Sequence, residues 1–142
     1  MNTVELFSQY MKITSVPHTG DEPDGDTRLR GKTLALINGA SWISLWTDYF
    51  GRKILPGVKL MNVASDAVQY NFIKAHEAGL ECPPHVNREI FASFARQVHE
   101  LVGVDAVLIT CSTMNRSYPV VEKAMAEFGV PVVQIDRPMM ER

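Results

Sequence analysis

The sequence predicts an α/β domain: a four-stranded parallel sheet in the order 2-1-3-4, helices on both faces, and an N-terminal arm ahead of it. Three observations predict it. Short apolar runs alternate with longer stretches of helical periodicity through residues 33–142, the pattern of a parallel sheet with right-handed crossovers. Val107, Leu108 and Ile109 form a continuous apolar run, as expected of a strand covered on both faces. Gly and Pro punctuate the boundaries, at Pro56, Gly57, Gly79 and Gly129. In this order the first and third strands are neighbours whose connections leave to opposite faces, so a crevice opens between their carboxyl ends.

Each element has its own signal. Residues 1–32 divide into a short amphipathic helix, Asn2 to Ile13, and a Pro/Gly-rich acidic loop from Val16 to Lys32. The helix has Val4, Phe7 and Met11 at helical spacing, with Leu6 and Tyr10 beside them, and is too short to stand alone. The acids of the loop lack the alternating register of a calcium loop. Leu34 to Ile37 reads as the first strand, Asn38 to Ser41 as its turn, and Ser41 as the N-cap of a helix whose apolar side is Trp42, Leu45, Trp46, Tyr49 and Phe50. Those aromatics are expected in the core. Val58 to Val63 is the second strand. Ser65 or Asp66 caps the next helix, which turns Val68, Phe72 and Ala75 inward and ends at Gly79. A Glu-Cys-Pro-Pro turn precedes a long helix from Pro84 to Val102, with Val86, Ile90, Phe94, Val98 and Leu101 along one stripe. The third strand ends at Cys111. Ser117 or Tyr118, with Pro119 behind, opens a helix packed through Val120, Val121, Ala124, Met125 and Phe128; Pro131 to Asp136 is the fourth strand, and Arg137 to Arg142 begins a further helix.

Composition narrows the function. A 142-residue chain that is 46% hydrophobic and 21% charged, with net charge -2, is of ordinary globular make-up, with enough chain for one domain. No clustered basic surface points to nucleic acid, and no apolar run approaches the roughly 20 residues that span a bilayer. The expectation is a cytoplasmic protein. Cys82 and Cys111 lack CxxC spacing, and the four histidines are scattered without ligand spacing, so neither a disulfide nor a metal site is expected.

Chemistry concentrates where the two crevice turns meet. Cys111 sits at the carboxyl end of a buried strand, and backbone N–H groups at a helix start attract anions and favour thiolates. Ser112 and Thr113 offer hydroxyl and backbone donors to a carboxylate, while Asn38 adds an amide, Gly39 close backbone approach and Ser41 a hydroxyl. Together they suit a small carboxylate whose adjacent carbon loses a proton to Cys111, without metal or cofactor. Cys82, followed by two prolines that lack backbone donors, is poorly placed for an anion nest.

At these residues the chain resembles the aspartate/glutamate racemase superfamily, which includes hydantoin racemases, maleate isomerases and arylmalonate decarboxylases. The resemblance runs from Thr33 to Met140 through TLALING, LPGVKLMNV, VDAVLITCST and GVPVVQIDRPM. It implies a flavodoxin-like half-domain and cofactor-independent racemase or isomerase chemistry on an amino acid or related acid. Cys111 matches the first of the family's two cysteines, Ser112 and Thr113 its carboxylate-binding residues, and Asn38 with its turn the other side of the pocket. The family carries a second half with its own cysteine, and the chain stops where that half would begin. The expectation is therefore either a truncated product or a half-domain in which a homodimer faces two Cys111 thiols across one cleft.

Two other readings stand beside it. Cys111 and Arg116, with four residues between them, have the spacing of a rhodanese-type sulfurtransferase loop, although that loop lacks the glycine an anion cradle usually requires. A half-domain that keeps the carboxylate pocket without turnover, acting in binding or assembly, is the third.

Overall fold

The computed structural model describes residues 2–14 and 28–137. In chain order the elements are α1 (Thr3–Thr14), β1 (Thr33–Asn38), α2 (Ser41–Ile54), β2 (Lys59–Ala64), α3 (Asp66–Glu77), α4 (His85–Val102), β3 (Ala106–Ile109), a 3-10 helix (Ser112–Ser117), α5 (Tyr118–Ala126) and β4 (Val132–Gln134). The four strands are all parallel, in the order β2-β1-β3-β4. The expected fold class is therefore the observed one. Most of the acidic loop and residues 138–142 lie outside the described residues, so those two expectations have no structural counterpart here.

Alternation along the strands assigns the two faces. Ala35 and Ile37 of β1 and Val107 and Ile109 of β3 join the main core with Phe91, Ala92, Ala95 and Val98 of α4 and Val121, Ala124 and Met125 of α5. Leu36 and Asn38 project to the opposite face, where the Asn38 amide meets Ser44 of α2. The core is thus built mainly on the α4–α5 side. At the amino ends of the strands, Asp105 accepts from the Thr33 N–H at 2.8 Å and pairs with Lys32 at 3.1 Å, which ties β1 to β3.

Three expected packing faces are corrected by the structure. On α2 only Tyr49 of the aromatic set is buried; Trp42 is 64% exposed, and Leu45, Trp46 and Phe50 are also exposed. The side facing the sheet is instead the small and polar stripe Ser44, Thr47 and Gly51. A Cβ on Gly51 would come within 2.5 Å of Leu60, so glycine lets α2 lie close on β2. Part of the displaced aromatic face supports α1, whose Tyr10 ring packs edge-on against Trp46 and Tyr49 at centroid distances of 4.5 and 5.6 Å. On α4 the buried face is Asn87, Phe91, Ala92, Ala95 and Val98, while Val86 and Leu101 are exposed. Two alanines allow close approach to the sheet, and Asn87 is held inside by Asn71 at 2.7 Å and the Val68 carbonyl at 3.0 Å. For α5 the correction is confined to Phe128, which lies in the turn after the helix and is exposed; Val121, Ala124 and Met125 are buried and Val120 packs against the core, as expected.

Candidate functional site

Ile37 pairs with Ile109, so β1 and β3 leave the sheet at the same level and their turns face each other across the crevice. The Thr110 N–H donates to the Ile37 carbonyl at 3.1 Å and extends the pairing by one residue. Cys111 follows with extended backbone and opens the 3-10 helix, rather than the longer helix start expected from the sequence. Its side chain is buried and comes so close to Gly39 that a Cβ there would lie 2.8 Å from Sγ. Gly39 is therefore needed for its missing side chain.

The thiol has a defined hydrogen-bonding neighbour. Cys111 Sγ lies 3.0 Å from Thr113 Oγ1, and that hydroxyl also points at Gln69 Oε1 at 3.4 Å. With the thiol protonated, Thr113 donates to Gln69 and receives the S–H; with a thiolate, the same hydroxyl turns to donate to sulfur. Both arrangements are satisfied without moving the backbone. Gln69 gets there because Ser65 caps α3, accepting the Val68 N–H at 3.4 Å, and the first turn of that helix carries position 69 to the mouth of the crevice.

A cleft of about 510 Å³ opens over these groups. Thr110, Cys111, Ser112 and Thr113 line one side, Ala40, Trp42 and Ile43 another, and Gln69 and Ile73 the third. The N–H groups of Ser112 and Thr113 lie at a helix start, where no acceptor exists inside the helix; the Met114 N–H already donates to the Cys111 carbonyl at 3.1 Å. Ser112 can thus present its hydroxyl, and Ser112 and Thr113 their two backbone N–H groups, to one anion, while the Thr113 hydroxyl serves the thiol.

The structure divides the expected site residues into two groups. Cys111, Ser112 and Thr113 line the cleft, with Gly39 against the thiol. Asn38 and Ser41 are not part of the lining. The Asn38 amide donates to Ser44 Oγ and to Asn62 Oδ1, both at 3.1 Å, and its oxygen accepts from Thr110 Oγ1, so all its donors are engaged. Asn62 also accepts from Thr47 at 2.6 Å. Ser41 is bound through its N–H and hydroxyl to the two oxygens of Asp66, at 2.7 and 2.8 Å, and these bonds hold the Asp66 carboxyl below the usual carboxylate range. Arg116 is exposed, lies outside the cleft lining, and its charge acts on Glu81. Cys82 is half-buried, its sulfur 3.9 Å from the Phe72 carbonyl.

Sequence reasoning missed Ile43, Gln69, Ile73 and Thr110, and placed Trp42 in the core. The signal for the α3 pair is their spacing of four, which puts both on one helix face beginning at the carboxyl edge of β2. Among the described residues no three His, Cys, Asp or Glu side chains gather as metal ligands, and no helix is long and apolar enough to cross a membrane. Comparison with family models, with characterised proteins and with solved structures finds no match.

Proposed function

We propose that the chain transfers a proton at the carbon next to a carboxylate, with Cys111 as the base, in the manner of the racemase superfamily that its sequence resembles. The observation that carries this reading is the position of Cys111 Sγ, beside a carboxylate-sized set of donors and 3.0 Å from a hydroxyl that serves both its protonation states. Ser112 and Thr113 hold the carboxylate. The thiolate takes the proton: the C–H bond breaks, an S–H bond forms, and the electron pair passes into the carboxylate as an enolate, which the same donors stabilise. Reversal returns a proton to carbon.

Among the described residues of one chain the cleft offers a single group of this kind, since its other polar side chains are Gln, Ser and Thr. A single thiol exchanges the α-proton on one face; inversion requires a second acid from the opposite face. A second copy of the chain, with its own Cys111, is the proposed source.

The test is α-proton exchange in deuterated water, followed by proton NMR over amino and hydroxy acids, together with the stereochemistry of the product. Wild-type protein exchanges the α-proton, Cys111→Ser loses at least about 100-fold in rate, and Thr113→Val loses about tenfold. Exchange undiminished in Cys111→Ser, or absent from folded, reduced wild type across the whole panel, rules the reading out. Inversion that scales with the dimer fraction supports the second copy, whereas exchange with retention points to one thiol per site.

A further inference from the structure

The walls of the cleft differ in chemistry, and the difference bears on what accompanies the carboxylate. The inference rests on the carboxylate reading given above and concerns the rest of the ligand. Among the described residues no Lys, Arg or His lines the cleft, so a second carboxylate would meet no cation from that lining. Desolvating such a group without a partner is strongly unfavourable. Negative charge is already present at the rim, where Asp66 grips Ser41 between the lining residues Ala40 and Trp42. The lining that α2 and α3 contribute is Trp42, Ile43, Gln69 and Ile73, apolar apart from Gln69. Trp42 is 64% and Ile73 44% exposed, so apolar surface stands in water beside the thiol until something covers it.

We propose that the cleft takes acids with one carboxylate and an aromatic or branched aliphatic side group, with the carboxylate on Ser112 and Thr113 and the side group against Trp42 and Ile73. Dicarboxylic acids are disfavoured by the absence of a basic residue and by Asp66. The apolar wall belongs to this chain, so the preference holds for binding even where a second copy is needed to complete catalysis.

Calorimetric titration of the full chain with phenylpropionate, isocaproate and glutarate tests this directly. The two apolar acids bind wild type at least about tenfold more tightly than glutarate, the scale that one or two methylenes of pocket contact supply. Trp42→Ala and Ile73→Ala each shrink that ratio; both side chains are substantially exposed, so the variants fold. Glutarate binding as tightly as the others, no binding by any of the three, or a ratio unchanged in both variants overturns the proposal. Failure of the underlying reading looks different. Phenylpropionate binding at the expected ratio with no α-proton exchange in phenylalanine or leucine leaves the selectivity standing and removes the proton transfer. Exchange in glutamate with glutarate bound preferentially does the reverse.

Discussion

The chain leaves the sheet at the crevice twice, after β1 and after β3, and the two exits put similar residues to opposite uses. After β1, Asn38 turns to the α2 side of the sheet and bridges Ser44, Asn62 and Thr110, joining that helix to β1, β2 and β3. Ser41, three residues further, is bound to Asp66 at the start of α3. After β3, Cys111, Ser112 and Thr113 turn into the cleft, where the thiol and the Thr113 hydroxyl pair with each other and the Ser112 hydroxyl and two backbone N–H groups face whatever occupies it. Gly39 is where the exits touch, its missing side chain leaving room for the thiol. Polar residues at equivalent places in a parallel sheet therefore divide into those that fix the crevice and those that face it. Burial and partner count separate the two; residue type does not.

Substitutions at the two exits break this contrast if it is wrong. The largest effect on stability is expected from Asn38→Ala. It leaves the half-buried Asn62 and Ser44 without their amide donor and removes an acceptor from the buried Thr110 hydroxyl, which predicts a loss of about 2–3 kcal/mol in urea unfolding. Cys111→Ala, at the other exit, removes a small buried side chain with one weak hydrogen bond and is expected to cost about 1 kcal/mol or less. Equal costs at the two positions would show that the Asn38 network is not what fixes the crevice. Gly39→Ala comes between them. Its Cβ meets Sγ at 2.8 Å, Gln69 Oε1 at 3.3 Å and Met114 at 3.5 Å. The thiol must swing away from Thr113, at a cost of about 1–3 kcal/mol. The sharper readout is alkylation of Cys111, mapped by mass spectrometry. A rate equal to wild type would mean that the sulfur had not moved.

How much of this was legible in the sequence follows the same division. The sheet was legible because buried parallel strands are continuous apolar runs, and 107–109 has no other reading; the strand order followed from the pattern of connections. Cys111, Ser112 and Thr113 were legible because strand ends at a crevice are fixed by topology. The faces of α3 and α5 were legible too, through Val68, Phe72 and Ala75 and through Val121, Ala124 and Met125, but that of α2 was not and that of α4 only in part. On α2 the aromatic residues carry the strongest periodic signal, yet the inward stripe is Ser44, Thr47 and Gly51, chosen by the amides of Asn38 and Asn62 and by the nearness of Leu60. Periodicity measures hydrophobicity and has no access to partners on other elements. On α4 the stripe holds at Ile90, Phe94 and Val98 and fails at Val86 and Leu101, and the closest approach is made by alanines at 92 and 95, which periodicity passes over. Gln69 was invisible for a related reason: its place beside the thiol depends on how α3 starts, through a cap bond at Ser65 that fixes the helix phase.

The smallest effect expected concerns acid, and it compares the two ends of the sheet. Asp66, at the crevice end, is held below the usual carboxylate range by the backbone N–H and then the hydroxyl of Ser41. Asp105, at the far end, is held low by the Thr33 N–H and then by Lys32. A carboxyl that ionises more readily folded than unfolded binds fewer protons in the folded state, so stability rises with pH through that range. The contribution is complete above the unfolded carboxylate value, about 4, and is lost as pH falls through the lower folded values. Both groups are solvent-exposed, so each change is modest. Urea midpoints measured between about pH 5 and pH 2 should fall with acid, and Asp66→Asn and Asp105→Asn should each flatten the slope. Glu81, held low by Arg88, contributes with the same sign, so even the double variant keeps some acid sensitivity. The two variants part company at the thiol: Asp66→Asn loosens the start of α2 beside the cleft and changes the alkylation rate of Cys111, whereas Asp105→Asn, at the opposite end of β3, leaves it as in wild type. A shift of equal size in both would mean that the crevice responds to the stability of the whole sheet and not to its own bracing.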